Sequence, residues 1–313
     1  MRVLVFGGTG QIGARVTQAL CARGDHVTVV GRRRPQGPLS PYLGDTLQWI
    51  EGDVRDADHI LRITDSVQPD RVLHLAALLQ FACKSDPERA TDVNVRGTVN
   101  VLNAAQKVRV PRVIFGSSIT VYGEREDVLT EDGPIGPGIT LYGATKLMGE
   151  QLGCQYAENS GMAFVALRYC GIFGAGDPQS RGMAWVRREI ERTASGNSVA
   201  IEDASGDERA QLTYVQDAAD ATVLALDHRR PSHQIYNVAA PQSNYVSLRE
   251  FHEAVKRVVP SAGSVRFGGR GCGMAPVSVE RIQRDLGFVG RYSVTDGLRA
   301  AVLEEQGALG ANR

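Results

Sequence analysis

A chain of 313 residues can bury a full hydrophobic core as one large domain or as two lobes. Its 35 basic and 35 acidic residues balance, which argues against nucleic acid or an anionic membrane as a partner, and no apolar stretch is long enough to span a bilayer. Scattered cysteines, no signal-peptide pattern and no metal-ligand spacing among histidines and cysteines predict a cytoplasmic protein with reduced thiols and without a metal site.

The chain opens with a short apolar run that is followed by regularly spaced glycines. Residues 3–6 are typical of a strand buried on both faces, and residues 14–22 continue with helical periodicity. Glycines between a strand and a helix allow a tight turn, close approach of a pyrophosphate, and close packing of the helix on the strand. The helix N-terminus then offers free N–H groups to phosphate. The residues predicted to bind a dinucleotide here are Gly7, Gly10, Gln11, Ile12 and Gly13. The alternative is a glycine-rich turn without a ligand.

A second predicted strand, residues 26–30, ends in Gly31 and three arginines. An acidic residue at this place would bond the ribose 2′-hydroxyl of NAD, whereas arginine accommodates the 2′-phosphate of NADP. Because no Asp or Glu is present, Arg32 and Arg33 are predicted to bind the cofactor, and NADP is favoured over NAD. The alternative is a solvated basic turn.

Three further predicted strands, residues 46–50, 72–75 and 112–115, alternate with helical stretches such as residues 87–107. This rhythm is typical of a doubly wound parallel α/β sheet with right-handed crossovers. Ligands of such sheets bind at the carboxyl ends of the strands.

Small and polar residues follow these strands, where a ligand is expected. Ala76 and Ala77 follow one strand and would let the backbone lie against a flat ligand, and Ser117 and Ser118 follow another. Asp53 follows the third predicted strand, where it could also cap the next helix.

The next predicted helix, residues 142–159, begins with Tyr142 and Lys146, which lie one above the other on one helical face. A free phenol has a pKa of about 10, and a neighbouring ammonium lowers that pKa. With the Ser118 hydroxyl at the preceding strand end, these residues predict a proton-transfer site beside a nicotinamide.

These motifs together resemble the extended short-chain dehydrogenase/reductases of the broad NAD-dependent epimerase/dehydratase group. The resemblance covers nearly the whole chain and rests on GGTGQIG, HLAA, FGSSITVYG, YGATK, LRYCGIFG, TYVQDAADA and YNVAA. It implies that Tyr142 is the catalytic acid/base and that Lys146 lowers its pKa and bonds the nicotinamide ribose. It also implies that Ser118 bonds the substrate oxygen and that Asp53 reaches the adenine.

The resemblance extends the expected sites and suggests an assembly. The further cofactor-binding residues are expected to be Val54, Leu75, Ala76, Ala77, Asn94, Tyr142, Lys146, Tyr169, Gly171 and Ile172. The substrate-binding residues are expected to be Leu78, Leu79, Ser117, Ser118, Ile119 and Tyr142. Helices at residues 93–107 and 141–159 are expected to pair across a two-fold axis in a homodimer.

Departures from the family pattern bear on the substrate. Sugar dehydratases of this group carry Thr-Asp-Glu where this chain has Ser118, Ile119 and Thr120, so elimination of water lacks its acid/base pair. Enzymes of nucleotide sugars place an asparagine at the position of Gly171, and their Arg-Asp pair is missing here because Arg209 is out of register. These differences, and the apolar Leu78-Leu79 segment, favour a smaller or less charged substrate.

The predicted organisation is a Rossmann domain with a smaller C-terminal substrate-binding lobe. Residues 1–167 and 210–238 are assigned to the Rossmann domain, and residues 168–209 and 239–313 to the lobe. Helices are expected at residues 181–193 and 246–259, and residues 215–226 are expected to return to the Rossmann domain.

The sequence predicts an NAD(P)-dependent oxidoreductase that transfers hydride between the nicotinamide and a secondary alcohol or ketone of a small polar or sugar-like substrate. The first alternative is a nucleotide-sugar 4-epimerase, which uses the same residues but keeps its NAD bound. The second is a non-catalytic dinucleotide sensor, against which the intact Ser118, Tyr142 and Lys146 argue, since a sensor needs no base beside the nicotinamide.

Overall fold

The computed structural model describes residues 1–174, 197–202, 204–271 and 273–310. The helix expected at residues 181–193 lies outside these ranges. The strands are β1 (Arg2–Phe6), β2 (His26–Gly31), β3 (Leu47–Glu51), β4 (Arg71–His74), β5 (Arg112–Ser118), β6 (Ala163–Tyr169), β7 (Ile172–Phe173), β8 (Val199–Ile201), β9 (Arg209–Gln211), β10 (Thr213–Tyr214), β11 (Ile235–Val238), β12 (Tyr245–Ser247) and β13 (Val265–Phe267).

The α-helices within the same ranges connect these strands. They are α1 (Gln11–Ala22), α2 (Ala57–Val67), α3 (Gln80–Ser85), α4 (Pro87–Thr91), α5 (Gly97–Val108), α6 (Leu141–Ser160), α7 (Val215–Asp227), α8 (Leu248–Val258), α9 (Glu280–Leu286) and α10 (Val294–Gly310). In the part of the chain that is described, no helix combines the length and apolar character needed to cross a membrane.

Seven strands form one parallel sheet in the order β11-β6-β5-β4-β1-β2-β3. The chain winds outward from β1 in one direction through β2 and β3, then returns to the other side of β1 with β4. The sheet order therefore reverses between β1 and β4, and a crevice for a ligand opens at the carboxyl ends of strands at such a reversal. The predicted doubly wound sheet is confirmed.

The central strands are apolar because helices cover both faces of the sheet. In β1, Val3 and Val5 point to one face and pack with α1 and α7, whereas Leu4 and Phe6 point to the other and pack with α2 and α5. All four side chains are buried. Alternation along a strand thus accounts for two separate cores from one unbroken apolar run.

Among the described residues, three two-stranded sheets lie outside the main sheet. They pair β7 with β10, β9 with β12, and β8 with β13. A third apolar core forms among the later strands and helices, and includes the buried Phe173, Tyr214, Phe251 and Leu298. These later elements therefore have packing of their own beside the parallel sheet.

Three element boundaries differ from the predictions for local reasons. The helix expected over residues 87–107 is interrupted by a π-helical turn at Asp92–Arg96, where Gly97 packs against Val54 with no room for a side chain. Helix α8 begins two residues late because Ser247 belongs to β12 and caps the helix with Glu250 in a capping box. Strand β5 continues through Ser118, because β6 pairs with it as far as that residue.

Candidate active site

The glycine turn after β1 has the shape required to hold a pyrophosphate. Gly7 has a φ of +86°, and a Cβ there would lie 2.7 Å from the Ala76 nitrogen of the neighbouring strand end. A Cβ on Gly13 would lie 2.1 Å from the Gly7 carbonyl oxygen, so only glycine allows α1 to approach this closely. Helix α1 begins without a capping side chain or an acidic residue in its first turn, which leaves its N–H groups for an anion.

The first turn of α1 also contacts the later part of the chain. The Gln11 side chain donates a hydrogen bond of 2.9 Å to the Gly174 carbonyl, which leaves its backbone N–H for a phosphate. Ile12 is partly buried between two apolar cores. Both residues stay predicted contacts of the cofactor, made through their backbone.

At the end of β2, Arg32 and Arg33 are exposed, as a 2′-phosphate site would require. The nearby Asp53 carboxylate accepts hydrogen bonds from the Arg55 guanidinium at 3.0 and 2.8 Å. Arg55, with a smaller effect of Arg32, holds the pKa of Asp53 below its usual range. Asp56, and not Asp53, caps α2, so Asp53 is available to the adenine side of the crevice.

The loop after β4 is held in place by a buried asparagine. Asn94 accepts a hydrogen bond from the Leu78 nitrogen at 2.7 Å and donates to the Leu78 carbonyl at 2.9 Å and to the Thr145 hydroxyl at 3.1 Å. The Cys83 thiol donates to the same Leu78 carbonyl at 3.2 Å. The Asn94 side chain is therefore occupied within the protein. Asn94 thus ties the loop to α6, and its expected contact with the cofactor stays a prediction.

The other residues predicted to line this crevice follow β4 or β3 and differ in their exposure. Leu75 directly follows β4, and its backbone nitrogen donates a hydrogen bond of 2.8 Å to the Phe6 carbonyl. Ala76 lies against Gly7. Ala77 and Leu79 are partly exposed beside them. The Val54 side chain packs in the core, so that any cofactor contact would be made through its backbone.

The two serines at the end of β5 face opposite sides of the sheet. Ser118 accepts hydrogen bonds from the Thr120 nitrogen at 3.2 Å and from the Thr120 hydroxyl at 3.0 Å. The Ser117 hydroxyl donates to the buried carboxylate of Glu150. Because side chains alternate along a strand, the two hydroxyls point to opposite faces of the sheet. The expectation that Ser117 binds substrate stays a prediction.

Tyr142 and Lys146 lie one turn apart at the start of α6, which Thr140 caps by accepting a bond from the Gly143 nitrogen at 3.1 Å. The Lys146 ammonium donates to the Gly116 carbonyl at 2.6 Å and lies 5.8 Å from the centre of the Tyr142 ring. Burial lowers the pKa of Lys146 to about 8. The strand end and the helix start therefore meet, as the sequence predicts.

The electrostatics of Tyr142 differ from the expectation. Burial raises the pKa of the Tyr142 phenol, Cys83 raises it further, and only the hydrogen bond with Ser118 lowers it. The expected lowering by Lys146 is outweighed, because its ammonium points at the Gly116 carbonyl. In this arrangement the group that favours the phenolate is Ser118.

A buried ion pair behind the site was not anticipated from the sequence. Glu150 is fully buried and accepts bonds from the Arg168 guanidinium at 2.9 and 2.7 Å. Arg168 also lies 4.7 Å over the Tyr122 ring, whose hydroxyl donates to Asn237 at 2.7 Å. The sequence offers one indication of this pair: Glu150 follows Lys146 by four residues and therefore lies on the same face of the helix.

A second unanticipated group is His74, the first residue of the HLAA motif. Its Nε2 lies 3.0 Å from the Thr98 hydroxyl, which donates to the Asn94 carbonyl at 2.6 Å. Burial lowers the pKa of His74 to about 3, with a smaller contribution from Lys146, so the ring is neutral at pH 7. His74 thus supports the π-helical turn without adding a charge under the site.

The remaining predicted residues lie around β6 and β7. The Tyr169 side chain is buried, with its hydroxyl 2.7 Å from the Thr222 hydroxyl. The ring faces the core, and the expected contact of Tyr169 with the cofactor stays a prediction. Gly171 has a φ of +52°, and Ile172 follows it in β7. Ile119 packs in a buried apolar cluster, and its predicted contact with substrate stays a prediction.

Across residues 1–174, 197–202, 204–271 and 273–310 there is no group of three or more His, Cys, Asp or Glu side chains that could hold a metal ion. The groups gathered at the strand ends are hydroxyls, an ammonium and free backbone N–H groups. They can hold a dinucleotide phosphate and move a proton.

Comparisons with known proteins agree with this arrangement. The UDP-glucose 4-epimerase of Streptomyces lividans is 30% identical over 269 residues, which cover 82% of this chain and 80% of that protein. The enzyme of the same name from Lactobacillus helveticus is 28% identical over 297 residues, 86% of each chain. The crystal structure of UDP-glucose 4-epimerase from Thermus thermophilus in complex with NAD matches with a TM-score of 0.84 at 26% identity. That match covers 98% of this chain and 100% of that one.

A family model described as the NAD dependent epimerase/dehydratase family matches residues 3–239. The matched residues contain the glycine turn, Ser118, Tyr142 and Lys146. The chain therefore belongs to the NAD-dependent epimerase/dehydratase family and is an enzyme of the extended short-chain dehydrogenase/reductase type.

Proposed function

We propose that this enzyme is an NAD(P)-dependent oxidoreductase acting on a secondary alcohol or ketone of a small polar or sugar-like substrate. The observation that carries the proposal is the meeting of the β5 end with the start of α6, where the Lys146 ammonium donates to the Gly116 carbonyl at 2.6 Å and lies 5.8 Å from the centre of the Tyr142 ring. Ser118, Tyr142 and Lys146 are the proposed catalytic residues. The other predicted cofactor contacts are part of the same proposal.

In the direction of oxidation, the residues act on the substrate hydroxyl. When bound, a nicotinamide cofactor supplies the hydride acceptor. Ser118 would hold the substrate oxygen, and Tyr142 as phenolate would take the hydroxyl proton while the carbon gives up hydride. Lys146 would keep a positive charge beneath the site at neutral pH, since burial leaves its pKa near 8. Reduction follows the same path in reverse.

Two features of the described residues support a substrate smaller than a nucleotide sugar. A Cβ at Gly171 would lie 2.1 Å from the Gln211 carbonyl oxygen, so an asparagine could not stand here without displacing β9. Arg209 donates to the Tyr245 carbonyl at 2.6 Å and pairs with Glu250 at 3.1 Å. This geometry supports the expectation that both diphosphate contacts of nucleotide-sugar enzymes are altered here.

A UDP-sugar 4-epimerase is the second candidate, because the Streptomyces and Thermus relatives carry that name. It requires the same proton transfer but returns the hydride to its substrate. The two functions differ in whether reduced cofactor accumulates. An assay should therefore add NAD or NADP with a panel of secondary alcohols, sugar acids and aldoses. It should separately mix the enzyme with UDP-glucose and UDP-galactose.

Accumulation of reduced nicotinamide in proportion to an oxidised product supports the oxidoreductase. Interconversion of the two UDP-sugars without net reduction of added cofactor would overturn it in favour of the epimerase. Tight cofactor binding with no turnover in either assay would instead favour the non-catalytic sensor.

We propose further that the basic turn after β2 selects NADP, with NAD as the alternative. A partly exposed charge-assisted bond to phosphate contributes about 1.5–3 kcal/mol, a preference of roughly ten- to a hundredfold. Titration of both cofactors should show this preference in the wild type and its loss in Arg32→Ala/Arg33→Ala. Arg34→Ala, a neighbouring exposed arginine, is the matched control. Equal affinity for NAD and NADP, unchanged in the double variant, would make the arginines ordinary surface charge.

A homodimer built on α5 and α6 is proposed as the assembly. Leu141 and Met148 lie seven residues apart on α6 and are 38% and 50% exposed, so one side of this helix presents apolar surface. Light scattering at micromolar concentration should give twice the chain mass, and Met148→Glu should reduce it. Val289→Glu, at an exposed apolar position outside α6, is the control. A monomeric wild type would contradict the proposal.

The division into a Rossmann domain and a smaller lobe, and a cytoplasmic location, are also proposed. The strands of the main sheet lie within residues 2–169 and 235–238, which supports the proposed division into a Rossmann domain and a lobe. The described cysteines Cys21, Cys83, Cys154 and Cys170 are free thiols, which supports a reducing compartment.

A further inference from the structure

The turn that follows β5 places Thr120 directly against the proposed catalytic serine. Ser118 is the N-cap of a short 3₁₀ turn, Ile119–Tyr122. The Thr120 nitrogen lies 3.2 Å from the Ser118 oxygen, and the Thr120 hydroxyl lies 3.0 Å from it. Both of these groups donate. One residue therefore supplies two hydrogen bonds to the same serine oxygen.

Two accepted bonds determine where the serine proton can go. A hydroxyl oxygen has two lone pairs and one O–H donor. When Thr120 fills both lone pairs, Ser118 can act toward any third group only as a donor. The neighbouring group at the start of α6 is the Tyr142 phenol, whose pKa Ser118 lowers.

The backbone fixes the distance between this turn and the catalytic helix. A Cβ on Gly143 would lie 2.3 Å from the Thr120 carbonyl oxygen, so only glycine lets α6 pack this closely on the turn. Gly143 is the residue after Tyr142. This close packing therefore fixes the start of α6, where Tyr142 lies, against the turn that carries Thr120.

We propose that Thr120 is a positioning residue that orients the Ser118 hydroxyl proton toward Tyr142 or the substrate oxygen. The chain of donors runs from the Thr120 hydroxyl to Ser118 and from Ser118 to the reacting oxygen. Its effect is to favour the phenolate against the opposing effect of burial. The inference rests on the proposed acid/base role of Tyr142.

The test compares Thr120→Val, which keeps the shape and the backbone N–H but removes the hydroxyl donor, with Thr120→Ser, which restores the donor. In Thr120→Val, we expect kcat to fall about three- to tenfold, the worth of one neutral hydrogen bond, with KM and cofactor Kd unchanged. The pH midpoint of kcat for oxidation should rise by about half a unit to one unit. Thr120→Ser should match the wild type.

A second readout does not need turnover. The carbon-13 resonance of Tyr142 Cζ, identified by its loss in Tyr142→Phe, should move in Thr120→Val and return in Thr120→Ser. A resonance and a pH profile that stay at wild-type values in Thr120→Val would overturn the proposal, as would a Thr120→Ser variant that resembles Thr120→Val. If the wild type turns over no substrate, the resonance alone decides the role of Thr120, separately from the proposed function.

Discussion

Replacing Tyr142 by phenylalanine is expected to lower kcat by ~10²–10⁴, the usual contribution of a general acid/base, while cofactor affinity stays near the wild-type value. The change removes one hydroxyl and little volume. Ser118 lowers the pKa of that phenol, which lies on the helix turn that carries Lys146. The measurement is steady-state kinetics on the substrate found by the panel, with a parallel cofactor titration.

The control for this prediction is Tyr156→Phe on the same helix. Tyr156 donates its hydroxyl to Asn103 at 2.6 Å, away from Ser118, so its loss should leave kcat unchanged. Lys146→Met, by contrast, should impair both kcat and cofactor affinity, because Lys146 is proposed to serve the base and the ribose together. Preserved turnover with lost cofactor binding in Tyr142→Phe would contradict the assignment of Tyr142.

The second large effect is expected on stability, from Glu150→Gln. Glu150 has no exposed surface and holds the Arg168 guanidinium through two bonds, while Ser117 donates to it from β5. Removing one charge of a buried pair leaves the other uncompensated and typically costs about 3–5 kcal/mol. Urea unfolding should show a loss of this size. Because the pair joins α6 to β5 and β6, kcat should fall as well.

Two further variants separate the pair from its surroundings. Glu158→Gln changes an exposed residue of the same helix and should leave the unfolding free energy unchanged within about 0.5 kcal/mol. Glu150→Met/Arg168→Met removes both charges and should recover much of the lost stability, since buried pairs exchange for apolar side chains at little cost. A Glu150→Gln protein as stable as the wild type would show that the pair does not hold the helix to the sheet.

Local patterns in the sequence accounted for the fold and for the positions of the proposed catalytic residues. An apolar run buried on both faces, glycines between a strand and a helix, and a tyrosine and a lysine four residues apart each depend on neighbours in the chain. Gly7, Gly13, Tyr142 and Lys146 therefore take the places that their spacing predicts. The predicted parallel sheet follows from the same local alternation of strands and helices.

Which way a side chain points depended on contacts between distant elements. Ser117 and Ser118 are adjacent, but the pairing of β5 with β6 extends the strand through both and turns them to opposite faces. Asn94 bonds to the Leu78 backbone and to the Thr145 hydroxyl, which lie 16 and 51 residues away in the chain. Tyr169 bonds to Thr222, which lies 53 residues away.

The electrostatics of the site were likewise decided by tertiary packing. Proximity of Lys146 to Tyr142 suggested a lowered phenol pKa, but burial raises it, and the Lys146 ammonium is held by the Gly116 carbonyl. The Glu150–Arg168 pair joins a helix to a strand, so neither residue alone identifies it. Local spacing is encoded in the order of residues, whereas desolvation and pairing of charges exist only once the sheet and helices have closed around them.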